Sequence, residues 1–100
     1  MDTRGYDADA VVSVDQLYTG GKKAEKLDLP IIAVIEASMR KIGWYSRPIN
    51  VHNKPGGGIY LVDDGHHRVC AAARVGISVP VIFVGEWNGS GGYGQYWHNV

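Results

Sequence analysis

A small single-domain α+β fold, about four strands in one sheet packed with two main helices, is what this chain predicts, on three observations. Short apolar runs rich in β-branched residues and of strand length recur at residues 11–14, 59–62 and 77–84. Two other stretches, 28–43 and 69–75, carry apolar residues at the three- and four-residue spacing of a helix. One hundred residues with 45% hydrophobic content can bury a single core, with too little left for a second unit.

Residues 1–10 are polar and expected to be flexible, ahead of a domain over 11–86 and a tail over 87–100. Residues 11–14 give the first strand, and Asp15, Gln16, Leu17 and Tyr18 one helical turn before the break at Gly20 and Gly21. The charged stretch 22–26 reads as a solvated connector. In the next helix the signals agree: Asp28 caps it, Pro30 suits its first turn, and Leu29, Ile32, Ile35 and Met39 share a face. Arg40 and Lys41 sit near its negative end before Gly43. Pro55 and the glycines 56–58, lying between two strands, read as the tip of a hairpin. Gly76 stops the second helix. The strand over 77–84 is apolar almost throughout, though interrupted by Pro80, and is expected to be buried on both faces. The tail interleaves Trp87, Tyr93, Tyr96 and Trp97 with glycines, a loop whose aromatics suit a contact with a protein partner.

Ten basic and ten acidic residues give a formal net charge of zero, hence no global attraction to nucleic acid or to an anionic membrane. Any DNA contact has to come from a local patch. One cysteine cannot form an intrachain disulfide, and neither a signal peptide nor a bilayer-spanning run is evident, so a cytoplasmic protein with no membrane partner is expected.

The chemistry concentrates in residues 60–80, YLVDDGHHRVCAAARVGISVP. A strand ends on Asp63 and Asp64, Gly65 permits a tight bend, and a helix opens on His66, His67 and Arg68, whose amides point outward from a positive helix end. That arrangement suits an anion, above all a phosphate. Either aspartate can cap the helix. Val69, Ala72, Ala73 and Gly76 make a narrow stripe of small residues for close packing on a sheet.

This segment resembles the phosphate-binding turn of the ParB/sulfiredoxin-like superfamily, where a strand leads into a G-E-R-R or G-C-H-R box, an Ala-rich helix, Gly and a "VPV" strand. Here the box is Gly65-His66-His67-Arg68 and the strand begins Val79-Pro80-Val81. Upstream, residues 28–43 look like the family's preceding helix, and Arg47-Pro48-Ile49-Asn50-Val51 like its "QPIxV" strand; both ends of the chain lie outside the likeness. The resemblance implies a mixed sheet and a nucleoside triphosphate, CTP or ATP, held with Mg²⁺. It also marks a departure: sulfiredoxins have cysteine, and ParB proteins a glutamate implicated in CTP hydrolysis, where His66 stands. Sulfinic acid reduction is therefore not expected, and hydrolysis is expected to be slow or absent. These 100 residues also leave no room for the helix-turn-helix and dimerisation domains that follow in ParB.

The candidate ligand-binding residues are thus Gly65, His66, His67 and Arg68, with Arg47 as a second phosphate contact. Arg68 has a structural alternative, a bridge to Asp63 or Asp64. His66 is the candidate to orient an attacking water and His67 a general acid or base. Asp63 and Asp64 are the candidate metal residues, a phosphate-bridged Mg²⁺ on one aspartate being favoured, since adjacent helical histidines diverge by ~100° and do not readily share one ion. Cys70 reads as core. Trp44 and Tyr45 either border the ligand or pack on the sheet. Glu36 either solvates its helix or matches the upstream glutamate that serves as base in superfamily members that phosphorylate free serine. Three functions follow: a nucleotide-binding domain; an enzyme, either a metal-dependent ParB-like nuclease or a small-molecule kinase; and an interaction module of a phage or mobile element.

Overall fold

The structure is a computed structural model and describes residues 1–19 and 27–89. Five strands, one more than expected, form a mixed sheet in the order β1-β5-β3-β4-β2, with two helices packed against it. The strands are β1 (Ala10–Val12), β2 (Leu17–Tyr18), β3 (Ile49–Asn53), β4 (Tyr60–Asp64) and β5 (Val79–Glu86); the helices are α1 (Leu29–Ile42) and α2 (His66–Val75). The expected hairpin joins β3 to antiparallel β4, and α2 carries the chain across to β5, which runs parallel to β3.

The first strand ends early because Ser13 begins a 3₁₀ turn, Val14–Gln16. The Ser13 hydroxyl accepts from the Asp15 amide at 3.2 Å, and the Ser13 amide donates to Gln16 Oε1 at 3.0 Å, a reciprocal cap. The helical turn expected over residues 15–18 therefore stops at Gln16, and Leu17 and Tyr18 form the added strand, parallel to Tyr60 and Leu61 of β4. Burial decides this short segment: Leu17 is fully enclosed.

In α1, Asp28 accepts from the Ile31 amide at 3.1 Å, Pro30 lies in the first turn, and Gly43 ends the helix, as the sequence predicts. Ile32 and Met39 are buried, but Leu29 is exposed, so the core stripe starts a turn later than expected. Val69, Cys70, Ala71 and Ala72 of α2 have no exposed surface and pack with Ile49, Val51, Val62, Val79 and Val81 from the three central strands. Burial pushes the Cys70 thiol up to about 11, which keeps it protonated and inert as expected of a core cysteine.

Only the first half of β5 is buried. Val79, Pro80 and Val81 are enclosed while residues 83–86 are exposed, because β1 covers β5 only as far as Val81. Pro80 stands one residue before the β3 ladder begins at Ile49 opposite Val81, an end position that tolerates a missing amide donor. Trp87, next in the chain, is buried with its ring 6.0 Å from Tyr18. The first residues are paired too: the Asp2 amide donates to the Trp44 carbonyl at 2.8 Å and the Ser46 amide to the Asp2 carbonyl at 3.0 Å. The connector over 22–26, the break at Gly20 and Gly21, and the tail aromatics Tyr93, Tyr96 and Trp97 lie outside the described residues.

Candidate functional site

Strand β4 and helix α2 meet at Gly65, which takes a left-handed conformation (φ 110°, ψ 23°) as the residue flanking the helix start. A Cβ here would overlap Ile49 Cδ1 and lie 3.0 Å from Arg68 Nη2, so the turn demands glycine for its backbone and for its space. Gly65 has no side chain with which to cap α2. Asp63 and Asp64, the expected caps, complete β4 while Gly65 takes the position flanking the helix, and Asp64, opposite Asn50, gives its carboxylate to Arg47 at 3.2 Å. The turn borders a cleft.

That cleft, about 640 Å³, is lined by Asp63, Asp64, Gly65, His66, His67, Arg68 and Arg47, all of the candidate residues from sequence, together with Ser46 and the apolar side chains of Leu27, Ile31 and Ile35. The last three come from the start of α1 and the residue pair before it. Their four-residue spacing was visible in the sequence, but it marks a second face beside the core stripe, and nothing local says what that face meets.

The two arginines divide the work. Arg68 Nη1 donates to Ser46 Oγ at 2.9 Å and to the Arg47 carbonyl at 2.6 Å, and its guanidinium stands 5.9 Å above the ring of buried Trp44. Arg68 therefore braces the loop over residues 44–47, in place of the bridge to Asp63 or Asp64 that the sequence also allowed. Burial lowers its pKa below the ordinary arginine value, Asp64 opposes that shift, and Arg47 adds to it, so its charge leans on the Asp64 carboxylate. Arg47 stays more than half exposed, with only the contact to Asp64 at its tip. Trp44 packs inside and donates from Nε1 to the Ser46 carbonyl at 2.8 Å, while exposed Tyr45 stacks under Arg4 at 4.5 Å.

His67 Nε2 accepts the Asp28 amide at 3.0 Å, which ties the start of α1 to the first turn of α2. A neutral ring accepting at Nε2 carries its proton on Nδ1, where it can donate without becoming charged. His66 is half-buried on the cleft wall. Among the described residues no three His, Cys, Asp or Glu groups gather as a metal cluster.

Glu36 lies outside the cleft lining. It accepts from Arg40 at 2.9 Å and from Arg74 at 3.3 Å, while Arg40 also donates to the Arg74 carbonyl at 3.1 Å, so the three clamp α1 to α2. Glu36 titrates below its ordinary 4.5, chiefly through the Arg40 hydrogen bond, with desolvation opposing and Arg74 assisting. A carboxyl depressed in the folded state adds stability that is complete above its ordinary value and lost as pH falls through the lower folded one. Glu36→Gln should therefore lower the melting temperature at neutral pH, and its melting curve should converge with that of the wild type as the pH drops well below 4.5. A constant gap across the titration would remove the ion-pair role.

No protein-family model and no curated protein matches the chain. Solved structures do. A free serine kinase in complex with AMP is 21% identical with a TM-score of 0.63, over 84% of this chain and 33% of that chain. The C-terminally truncated chromosome-partitioning protein ParB from Caulobacter crescentus, complexed with CTP-γ-S, is 22% identical with a TM-score of 0.64, over 82% of this chain and 46% of that one. Sulfiredoxin from Arabidopsis thaliana is 19% identical with a TM-score of 0.61, over 76% and 83%. The chain thus spans a third of the kinase's length and under half that of the truncated ParB. What they share at these identities is the fold, a ParB/sulfiredoxin-like one. No helix among the described residues is long and apolar enough to cross a membrane.

Proposed function

We propose that this ParB/sulfiredoxin-like domain binds the phosphate chain of a nucleoside triphosphate in the cleft at Gly65-His66-His67-Arg68. The observation that carries the reading is the convergence of the first turn of α2, which opens at Gly65, with Arg47 in one cleft of about 640 Å³. Backbone amides at a helix start and a planar guanidinium both favour phosphate oxygens. Two nucleotide complexes with the same fold, the ParB with CTP-γ-S and the kinase with AMP, support a nucleotide over a bare phosphate. Leu27, Ile31 and Ile35 offer the apolar surface that such a ligand's remainder needs.

Mg²⁺ fits the site on chemical grounds. Asp64 presents an exposed carboxylate at the rim, and Mg²⁺ bound with a nucleotide takes most of its oxygens from phosphate and water, so one or two carboxylates suffice. The ion would neutralise charge along the phosphate chain. His67 holds Asp28 and offers Nδ1–H, and His66, which lines the same cleft, is our candidate to orient a water attacking the terminal phosphate. A formal net charge of zero gives DNA no comparable attraction.

Titration with ATP, CTP, GTP and a short DNA duplex, with and without Mg²⁺, tests this through amide shifts and melting temperature. A triphosphate should move the amides of residues 65–68 first, and ligand at a hundredfold excess over Kd should stabilise the fold by about 2.7 kcal/mol. A response to DNA plus metal alone would point to a nuclease, and silence toward every ligand to an interaction module.

A further inference from the structure

The first residues of the chain are fastened to the loop that carries Ser46 and Arg47 into the cleft. Asp2 holds that loop through its backbone, donating to the Trp44 carbonyl at 2.8 Å and accepting from the Ser46 amide at 3.0 Å. A local turn then brings Arg4 back onto the loop. Arg4 takes a left-handed φ of 58° with its amide on Asp2 Oδ1 at 2.8 Å, Gly5 follows at φ 85°, and the Thr3 hydroxyl donates to the Tyr6 carbonyl at 2.6 Å. The Arg4 guanidinium comes to lie 4.5 Å from the centre of the Tyr45 ring. Further on, the Asp9 amide donates to the Val81 carbonyl at 2.8 Å and its carboxylate accepts from the Phe83 amide at 2.8 Å, so the segment is tied to β5 as well.

We infer that residues 2–6 form a positioning strap for the cleft: they hold Ser46 and Arg47 where Arg68 and a bound phosphate need them, so that docking of the strap and occupancy of the cleft reinforce each other. The inference rests on the phosphate reading above and adds to it what sets the affinity of the site. Ser46 is the shared node. Its amide donates to Asp2, its hydroxyl accepts from Arg68, and its carbonyl accepts from the Trp44 indole. Arg68 also holds the Arg47 carbonyl at 2.6 Å, and Ser46 and both arginines line the cleft. Without the strap, ordering the loop over 44–47 is left to Arg68 and to the loop's own Trp44–Ser46 bond, and an arriving phosphate has to bear the remaining entropy. With the strap docked, that ordering is complete before the ligand enters. Linkage makes the effect reciprocal: whatever factor the strap adds to phosphate affinity, phosphate adds to docking of the strap.

The test is made on the full chain, comparing wild type with Asp2→Pro, Arg4→Ala and Arg4→Lys. Asp2→Pro deletes the amide that donates to Trp44, and Arg4→Ala deletes the cation over Tyr45, which Arg4→Lys restores in part. In calorimetric titration with inorganic tripolyphosphate and Mg²⁺, Asp2→Pro and Arg4→Ala should bind about fivefold more weakly than wild type, the lower end of ordinary coupling between sites, with Arg4→Lys in between. Hydrogen exchange gives a readout that a merely structural strap would not move. The wild-type Ser46 amide should exchange about fivefold more slowly once tripolyphosphate is bound, and that gain should shrink in Asp2→Pro. Should Asp2→Pro fail to fold, Arg4→Ala and the wild-type exchange decide. Variants with a lowered melting temperature but wild-type affinity, or a Ser46 amide indifferent to ligand, overturn the positioning role and leave phosphate binding in place. A wild type that does not bind tripolyphosphate overturns the phosphate reading itself, and the coupling with it.

Discussion

Gly65→Ala should cost the fold about 3 kcal/mol or more, with a lowered urea midpoint at an unchanged m-value. Two terms add. The left-handed conformation at φ 110° penalises any residue with a Cβ by roughly 1 to 2 kcal/mol. The new methyl also overlaps Ile49 Cδ1, and forced overpacking of a buried site costs about 1 to 3 kcal/mol. Ile49→Val separates the terms, because it deletes the atom in the way. Alone it should cost about 0.5 to 1.5 kcal/mol, yet combined with Gly65→Ala the total should fall below the sum of the single changes. Strict additivity would mean that the overlap is relieved elsewhere and that only the backbone term is real. Since α2 opens at this residue, the double variant should still bind triphosphate worse than wild type if residual distortion re-aims the first-turn amides.

Arg68→Ala should lose twice, once in the scaffold and once in the ligand. Removing the hydrogen bonds to Ser46 Oγ and the Arg47 carbonyl leaves the loop unbraced, and a bond from a charged donor is worth about 1.5 to 3 kcal/mol. In protein kept folded by low temperature, triphosphate affinity should fall by one to two orders of magnitude, the fold-change equivalent to the same 1.5 to 3 kcal/mol. Arg68→Lys should restore little, because a lysine offers a point charge without the planar guanidinium. Ser46→Ala discriminates between the two losses: it removes one brace partner, costs about 1 kcal/mol of stability, and should spare most of the affinity. Unchanged affinity in folded Arg68→Ala would confine that arginine to the scaffold and leave phosphate to Arg47 and the backbone.

Those two residues also mark what was legible in the sequence. The bounds of α1 and the glycine turn into α2 were written locally, in Asp28, Pro30, Gly43 and Gly65, because caps and left-handed turns are decided within a few residues. Asp63 and Asp64 read equally well as caps or as metal residues, and it took the antiparallel pairing of β4 with Asn50 and the distant Arg47 to place them at the end of a strand. The extra strand at Leu17 and Tyr18 has two residues and no periodicity to detect; its partner β4 lies more than forty positions on. Likewise Glu36 meets Arg74 across 38 residues, and His67 meets Asp28 across 39. The wall of the cleft formed by residues 63–68 was thus foreseeable from one contiguous box, whereas the roles of the two arginines, Arg68 bracing and Arg47 paired with Asp64, depended on the loop over 44–47.

Trp44 gives the site an optical consequence. Its indole is 2% exposed, fixed by the Nε1 bond to the Ser46 carbonyl, and lies under the Arg68 guanidinium. An indole excited state carries a large dipole, so its emission colour follows the electric field of the nearest fixed charge. Here the Arg68 guanidinium, 5.9 Å from the ring, lines the cleft, so a ligand that alters the field at Arg68 should shift the emission of an indole that does not itself line the cleft.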